Sequence, residues 1–389
     1  EIAYHPTTEL KTPKGETEDE INYWKRKVVE SCIYGVDIKE LAVELAKLSL
    51  WLKTVDRSQP LNFLDHHLRC GNSLIGAKVN DLNYLPPSKG KQKKPAEQDE
   101  QLVLFDKSRF KEDITTVIKG FHAIEEMPSE KISDIKAKEK TFRNLMNELD
   151  SYREIANLWT SLFFGNSLEE KEQVFEELLK DQPKAQMDIF GSESAIPVKK
   201  KSKTGISGQI YNFVVSSLQS PDKKKLLFSL SSLLEKSESI AKDKNFFHWE
   251  LEFPEVFFNE DGSPKENPGF DCVLGNPPYD VLSEIEQGRD IEEEKEFYSH
   301  QIAYRPAIGS KLNYYRLFSS IALDLLKSKG MHGFIVPMAL LADKQARPLR
   351  EVMLKKSCLQ KIEALPQKDD PTKRVFPEAK LSTCIYILS

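Results

Sequence analysis

The chain has 389 residues, 39% of them hydrophobic and 10% aromatic, which supports a packed core and excludes a disordered chain. At about 150 residues per domain, that length leaves room for two or three domains. Its 56 Lys and Arg stand against 61 Asp and Glu, a formal charge of −5; this excludes a small, strongly basic nucleic-acid binder, though not a large enzyme with a local basic groove.

Mean hydropathy is −0.49, and no apolar run approaches the roughly 18 residues of a membrane span. Cys32, Cys70, Cys272, Cys358 and Cys384 are scattered and form no C-x-x-C pair. A disulfide scaffold or zinc ribbon is therefore not expected, and a reducing cytoplasm is the simplest home. The chain opens at Glu1 on a polar stretch without Met or signal peptide, so it reads as a piece of something longer.

The first ordered block is Trp24–Gly76. Within it, Ser31–Asp37 (SCIYGVD) reads as a short buried strand ending in an acid. Leu41, Leu45, Leu48 and Leu52 then recur at helical spacing and predict an amphipathic helix over Leu41–Lys53. Leu68–Ile75 (LRCGNSLI) reads as a second short strand and turn. Strand, helix, strand is the rhythm of a parallel sheet.

Composition changes after Gly76. Ser88–Lys94 is a basic, Gly-containing loop, and residues 101 to about 180 show a charged helical pattern anchored by Phe121, Phe142, Leu145, Leu149, Leu158 and Leu162. Glu193–Gly208, with the basic run Lys199–Lys203, reads as a linker or mobile loop, and Tyr211–Lys242 returns to helical spacing. The mixed charge describes a solvated helical module, and basic runs of this kind are more often solvated loops than nucleic-acid contacts.

The βα rhythm resumes near Phe246. Phe270–Leu274 predicts a buried strand closed by Gly275. Leu312–Lys329 predicts a helix with Tyr314, Phe318, Ile321 and Leu325 on one stripe and Gly330 as its cap; Gly333–Pro337 and Ser382–Leu388 follow as strands. Ahead of that helix, the segment Ser283–Glu296 is acidic and Gln287–His300 lacks clean periodicity, which reads as a mobile loop.

The sharpest feature is Asn276-Pro277-Pro278-Tyr279, set directly after a strand. The exocyclic amino group of adenine is a poor nucleophile because its lone pair is delocalised into the ring. Two acceptors aimed at its N–H groups hold it closer to tetrahedral and localise that pair for attack on a methyl carbon. Asn276 can supply a side-chain carbonyl and Pro277 a backbone carbonyl. The tandem prolines stiffen the turn and remove competing donors, and Tyr279 can stack on the base. Such chemistry needs positioning and electrostatics more than a strong base, and a base in a duplex must be flipped out to reach the loop.

With this loop and Ile33–Ile38 upstream, the sequence resembles the amino-group DNA methyltransferases acting on adenine N6. It is closest to the large adenine methylases of restriction–modification systems in which methylase and nuclease share one polypeptide. The likeness is carried by Tyr34–Leu52, Pro60–Gly76 (PLNFLDHHLRCGNSLIG), Phe247–Phe257 (FHWELEFPEVF), Gly269–Tyr279, Asn313–Pro337 and Val375–Leu388. The resemblance implies an α/β fold, a Rossmann-like S-adenosylmethionine-dependent methyltransferase sheet interrupted by a large, mostly helical insertion. Residues 1–76 and 246–389 would be its two parts and 77–245 the insertion. Asp37, with its neighbour Ile38, would bind S-adenosylmethionine, the carboxylate accepting from the ribose hydroxyls. Asn72 matches the position contacting the cofactor's adenine, where the family often has Asp. Phe376 matches an aromatic packing on the flipped adenine opposite Tyr279.

The family's Gly-rich cofactor loop has no counterpart here and should precede Glu1, so this stretch alone is expected to bind S-adenosylmethionine weakly or not at all and to be inactive. The partner is double-stranded DNA, with nuclease and target-recognition domains expected outside the chain and the net-basic Ala322–Ser389 as the DNA-facing half. Asn-Pro-Pro-Tyr also serves enzymes that methylate glutamine amides of proteins or amino groups of RNA bases, and a degenerate methylase fold could be a scaffold in a defence complex. No metal is expected: His66-His67 stands outside any ligand-spaced cluster and reads as a surface or packing pair.

Overall fold

A computed structural model describes residues 18–54, 63–86, 105–127, 131–181, 205–219, 230–309, 311–366, 369–370, 372, 374–376 and 381–389. Both basic runs, Ser88–Lys94 and Lys199–Lys203, lie outside them, as does most of Glu193–Gly208. The chain mixes helices and sheets and divides into two compact units. One takes in residues up to Ser73 and Thr116–Glu148; the other takes in Leu74–Thr115 and Leu149–Ser389. No described helix is long and apolar enough to cross a membrane.

The first unit carries helix α1 (Glu18–Cys32), strand β1 (Gly35–Asp37), helix α2 (Glu40–Lys53) and strand β2 (Leu68–Cys70). It also holds the C-terminal part of α3 (Lys107–Glu126) and helix α4 (Ile132–Glu148). Strands β1 and β2 pair in parallel, Gly35 opposite Leu68 and Asp37 opposite Cys70. Helix α1 already contains Ser31 and Cys32, so the strand is shorter than the sequence predicts. Val29, Val43, Leu64 and Leu68 form the core, with Ile33 and Leu50 packed against it.

This packing inverts the expected face of α2. Leu41, Leu45, Leu48 and Leu52 are 72%, 54%, 44% and 60% exposed. Val43 and Leu50 are seven apart and point inward together, and at about 100° per residue the leucine stripe lies roughly half a turn away. Both faces of this helix are apolar, so periodicity alone does not choose between them.

In the second unit the helices come first: α5 (Asp150–Ser161), α6 (Glu172–Asp181), α7 (Gly205–Leu218), α8 (Ser231–Lys244) and the short α9 (Trp249–Glu252) and α10 (Pro254–Phe257). Residues 75–79 are pinned to the start of α9. Phe247 N donates to Ile75 O (2.8 Å), Ala77 N to His248 Nδ1 (3.0 Å) and Val79 N to a Glu250 carboxylate oxygen (2.7 Å). A Cβ on Gly76 would stand 2.0 Å from the Phe247 carbonyl oxygen. Because that obstacle is backbone, Gly76→Ala is expected to destabilise this unit by about 1–3 kcal/mol, the usual range for overpacking. Urea unfolding will show it as a lower midpoint with an unchanged slope.

Next in the chain are strands β3 (Phe270–Gly275) and β4 (Val281–Leu282), helices α11 (Glu284–Gln287) and α12 (Glu292–His300), and strand β5 (Leu312–Asn313). Helix α13 (Tyr314–Leu325), strand β6 (Leu326–Pro337), helices α14 (Ala339–Ala342) and α15 (Arg347–Lys356), and strands β7 (Leu359–Leu365) and β8 (Thr383–Leu388) complete the unit. The main sheet runs β3-β6-β8-β7, with β3 parallel to β6 and the other two pairings antiparallel. Side chains alternate across it. Phe334, Val336, Cys384, Tyr386 and Leu388 pack with Tyr315 and Ala322 of α13 and Leu349 and Met353 of α15. Among the described residues the other face stays open, with Leu274 75% and Met331 46% exposed.

Three expectations change here. Strand β3 is a sheet edge with Asp271, Cys272 and Leu274 exposed, not a buried strand. Gly330 lies inside β6 rather than capping a helix, because Leu326 already pairs with Phe270 of β3. Ser283–Glu296 is folded. Ser283 Oγ accepts from Glu286 N (3.3 Å) to cap α11, and Gly288 closes it in the left-handed region at φ 64°. Glu294 of α12, 3% exposed, is ion-paired with Arg289 and Lys244.

Candidate active site

In the first unit, the carboxyl ends of the parallel β1–β2 pair bring together Asp37, Ile38 and Asn72. The Asp37 carboxylate is exposed, and its Oδ1 accepts from Lys39 N at 2.8 Å, fixing the turn into α2. Gly71 N donates to Asp37 O (2.9 Å) and Cys70 Sγ to Ile38 O (3.5 Å), so the two strand ends hold each other. Ile38 is 49% exposed beside them and Asn72 is half-buried. Burial, then the Glu40 and Asp37 carboxylates, push the Cys70 thiol up. Where parallel strands end is where such sheets offer loops and backbone to a ligand.

In the second unit, Asn276–Tyr279 leaves the carboxyl end of β3. Gly275 precedes it because the Phe334 ring occupies the space of a side chain; a Cβ there would lie 2.9 Å from Phe334 Cε1. Asn276 and Pro278 are exposed, Pro277 is buried and Tyr279 is half-buried. The Tyr279 hydroxyl donates to Ile335 O (3.3 Å), and its ring meets Phe376 edge-on, with centroids 6.1 Å apart and planes at 68°. Burial raises the Tyr279 phenol above its ordinary value, so it stays a neutral donor.

The exit of the loop is clamped. Tyr314 N donates to Asp280 O (3.2 Å), β4 pairs with β5, Val281 N donates to a Glu286 carboxylate oxygen (2.9 Å) and Gln287 Nε2 donates to Val281 O (3.3 Å). Two of these supports, Glu286 and Gln287, come from the segment expected to be a mobile loop. Behind the sheet, His332 Nε2 donates to Tyr386 Oη (3.2 Å), whose hydroxyl donates to Ser319 Oγ (3.1 Å). Nothing in the sequence marks His332, a lone His between Met331 and Gly333. Its burial becomes visible only once β6 and β8 pair.

The Eco57I restriction-modification methylase family matches residues 31–370, most of the chain and both of these strand ends. The chain belongs to that family. A Methanocaldococcus jannaschii protein named as a type II restriction enzyme and methyltransferase, RM.MjaORFECS2P, is 27% identical to this methylase over 386 residues. That match takes in 95% of this chain and 27% of the relative, so the chain spans about a quarter of the relative's length. Among solved structures, a chain of the DrdV–DNA complex determined by cryo-electron microscopy matches with a TM-score of 0.27 and 11% identity. That match covers 73% of this chain and 34% of the other.

Proposed function

We propose that this methylase transfers a methyl group from S-adenosylmethionine to N6 of an adenine flipped out of duplex DNA, as part of a restriction–modification enzyme. The observation that carries the proposal is the Asn276–Tyr279 loop. An exposed amide follows an edge strand, on a backbone stiffened by two prolines and clamped at its exit, beside an aromatic held by Ile335 and Phe376.

Asn276 Oδ1 and the Pro277 carbonyl accept from the two N–H groups of the target amine and favour its more nucleophilic geometry. Pro277 and Pro278 present no backbone N–H to compete. Tyr279 stacks on the base and Phe376 flanks it, replacing the stacking lost on flipping. Tethered to Ile335 O and wedged by Phe376, the Tyr279 ring has few orientations left to lose on binding.

Asp37, Ile38 and Asn72 suit S-adenosylmethionine by their chemistry: an exposed carboxylate for vicinal hydroxyls, an exposed aliphatic for an adenine face and an amide for its edge. Bound there, the cofactor supplies an electrophilic methyl group. On this reading residues 1–76 and 246–389 are the two parts of one Rossmann-like catalytic domain and 77–245 is an insertion. DNA is the partner, with nuclease and target-recognition functions elsewhere in the polypeptide.

Incubating the protein that carries this sequence with labelled S-adenosylmethionine and equal amounts of duplex DNA, RNA and a glutamine-bearing protein tests the substrate class. The label is expected in DNA; label confined to RNA or protein overturns the proposal.

A further inference from the structure

The pair His66-His67 is deeply buried in the first unit, at 3% and 1% exposure. Both ring nitrogens of His66 and Nδ1 of His67 are buried without a hydrogen bond among the described residues. The Glu30 carbonyl influences the His66 ring but makes no hydrogen bond of normal geometry with it. A buried polar atom left bare costs about 1–3 kcal/mol, so three in one place call for a ligand. Glu125, in the last turn of α3, brings its carboxylate to the same spot. One donor atom from each of the three residues lies within 4.8 Å of the others.

We propose that His66, His67 and Glu125 form a binding site for a transition-metal dication of the zinc class. Two imidazoles and a carboxylate are a borderline donor set that suits zinc or cobalt rather than magnesium or calcium, which prefer oxygen alone. The geometry is close to what such an ion needs. A point equidistant from three atoms 4.8 Å apart lies about 2.8 Å from each, so each donor moves less than about 1 Å to reach the usual 2.0–2.2 Å.

The rings are already held for this purpose. His66 and His67 stand 4.0 Å apart at 36°, with Phe63 stacked on His66 at 5.4 Å and Tyr34 over His67 at 3.9 Å. Burial keeps both rings neutral and able to coordinate, His66 being lowered to about 4.

Three cations act on the cluster, Arg69 on the two histidines, Lys138 on His66 and Glu125, and Lys27 on Glu125, and they sharpen the test. Arg69 is engaged elsewhere: Nε donates to His66 O (3.2 Å), one terminal nitrogen to Met146 Sδ (3.6 Å), and its guanidinium lies 4.7 Å from the Phe142 ring centre. Lys138, 5% exposed, acts electrostatically on both His66 and Glu125 and opposes an incoming dication. Asp65 acts on His66 in the opposite sense. His66 and His67 precede β2, whereas Asp37 and Asn72 follow the strand ends. The ion would therefore tie α3 to the base of the β1–β2 pair, away from the proposed cofactor residues.

The test is a titration of the full chain, stripped with chelator, with Zn²⁺ and Co²⁺ alone. It is read by bound-metal stoichiometry, Co²⁺ absorption and thermal midpoint. One equivalent is expected, with a higher midpoint for the first unit. Glu125→Gln should weaken binding at least about tenfold, and Lys138→Met should tighten it, since it removes the opposing ammonium and keeps the chain length. Circular dichroism checks that both variants fold. Substoichiometric metal with an unmoved midpoint overturns the proposal, and so does an affinity indifferent to both substitutions.

Discussion

Asn276→Ala will lower the methylation rate of the protein that carries this sequence by at least about a hundredfold, without changing its stability measurably. The side chain is exposed, and its removal leaves no cavity. The backbone around it is fixed by other groups: the Phe334 ring against Gly275, the Tyr279 hydroxyl on Ile335 O, and the Glu286 and Gln287 clamp on Val281. What is lost is one of two acceptors for the target amine. Deleting a preorganised polar partner of a reacting group costs on the order of a hundred- to a thousandfold. Because the acceptor acts on the geometry reached during transfer, the loss should fall on kcat rather than KM. Single-turnover kinetics beside a thermal melt check both halves. A variant as fast as wild type contradicts the assigned role.

Acid will destabilise the second unit through its buried histidines. Burial lowers His332 from 6.5 to about 3 and His248 to about 4. Both are neutral donors or acceptors in the fold, His332 to Tyr386 and His248 between Ala77 N and Asn157 Oδ1. In the unfolded chain each takes up a proton as pH falls through about 6.5, while the folded chain refuses it. Stability is therefore complete above that pH and declines below it, by about 2 kcal/mol per histidine at pH 5. Asp81 and Glu250, both raised by burial, pull the other way and must be separated. A variant that removes one histidine does so. Between pH 7.5 and pH 5, His332→Gln should lose about 2 kcal/mol less than wild type in urea unfolding. An identical pH dependence would show that His332 titrates normally.

Some features were legible in the sequence because local chemistry restricts them. Asn276–Tyr279 needs an edge-of-strand loop with prolines, and Phe270–Gly275 before it is such a strand. The Asp37 turn is equally local, an aspartate capping Lys39 N two residues on. The stretches Pro60–Gly76 and Phe247–Phe257 stood out as a family likeness. Three hydrogen bonds between residues 75–79 and 247–250, one of them between backbones and two from backbone N–H to the His248 and Glu250 side chains, give part of that likeness a physical reason.

What the sequence hid depends on distant partners. The leucine stripe of α2 is as regular as any core stripe and faces outward, because Val43 and Leu50 take the inner face. Helices α11 and α12 are short and acidic and are held by a serine cap and by Arg289 and Lys244, which no periodicity encodes. Strand β7 was missed because its residues are almost all exposed, so no alternation of apolar and polar marks it. The spacing rule that set aside His66-His67 looks only along the chain, whereas Glu125 comes from another element.

Liquid chromatography–mass spectrometry of nucleosides from duplex DNA, after incubation with the protein that carries this sequence and S-adenosylmethionine, tests the central claim most directly. The account predicts N6-methyldeoxyadenosine, absent from the same reaction with Asn276→Ala. Methylated cytosine in its place, or N6-methyldeoxyadenosine formed equally by both proteins, would contradict it.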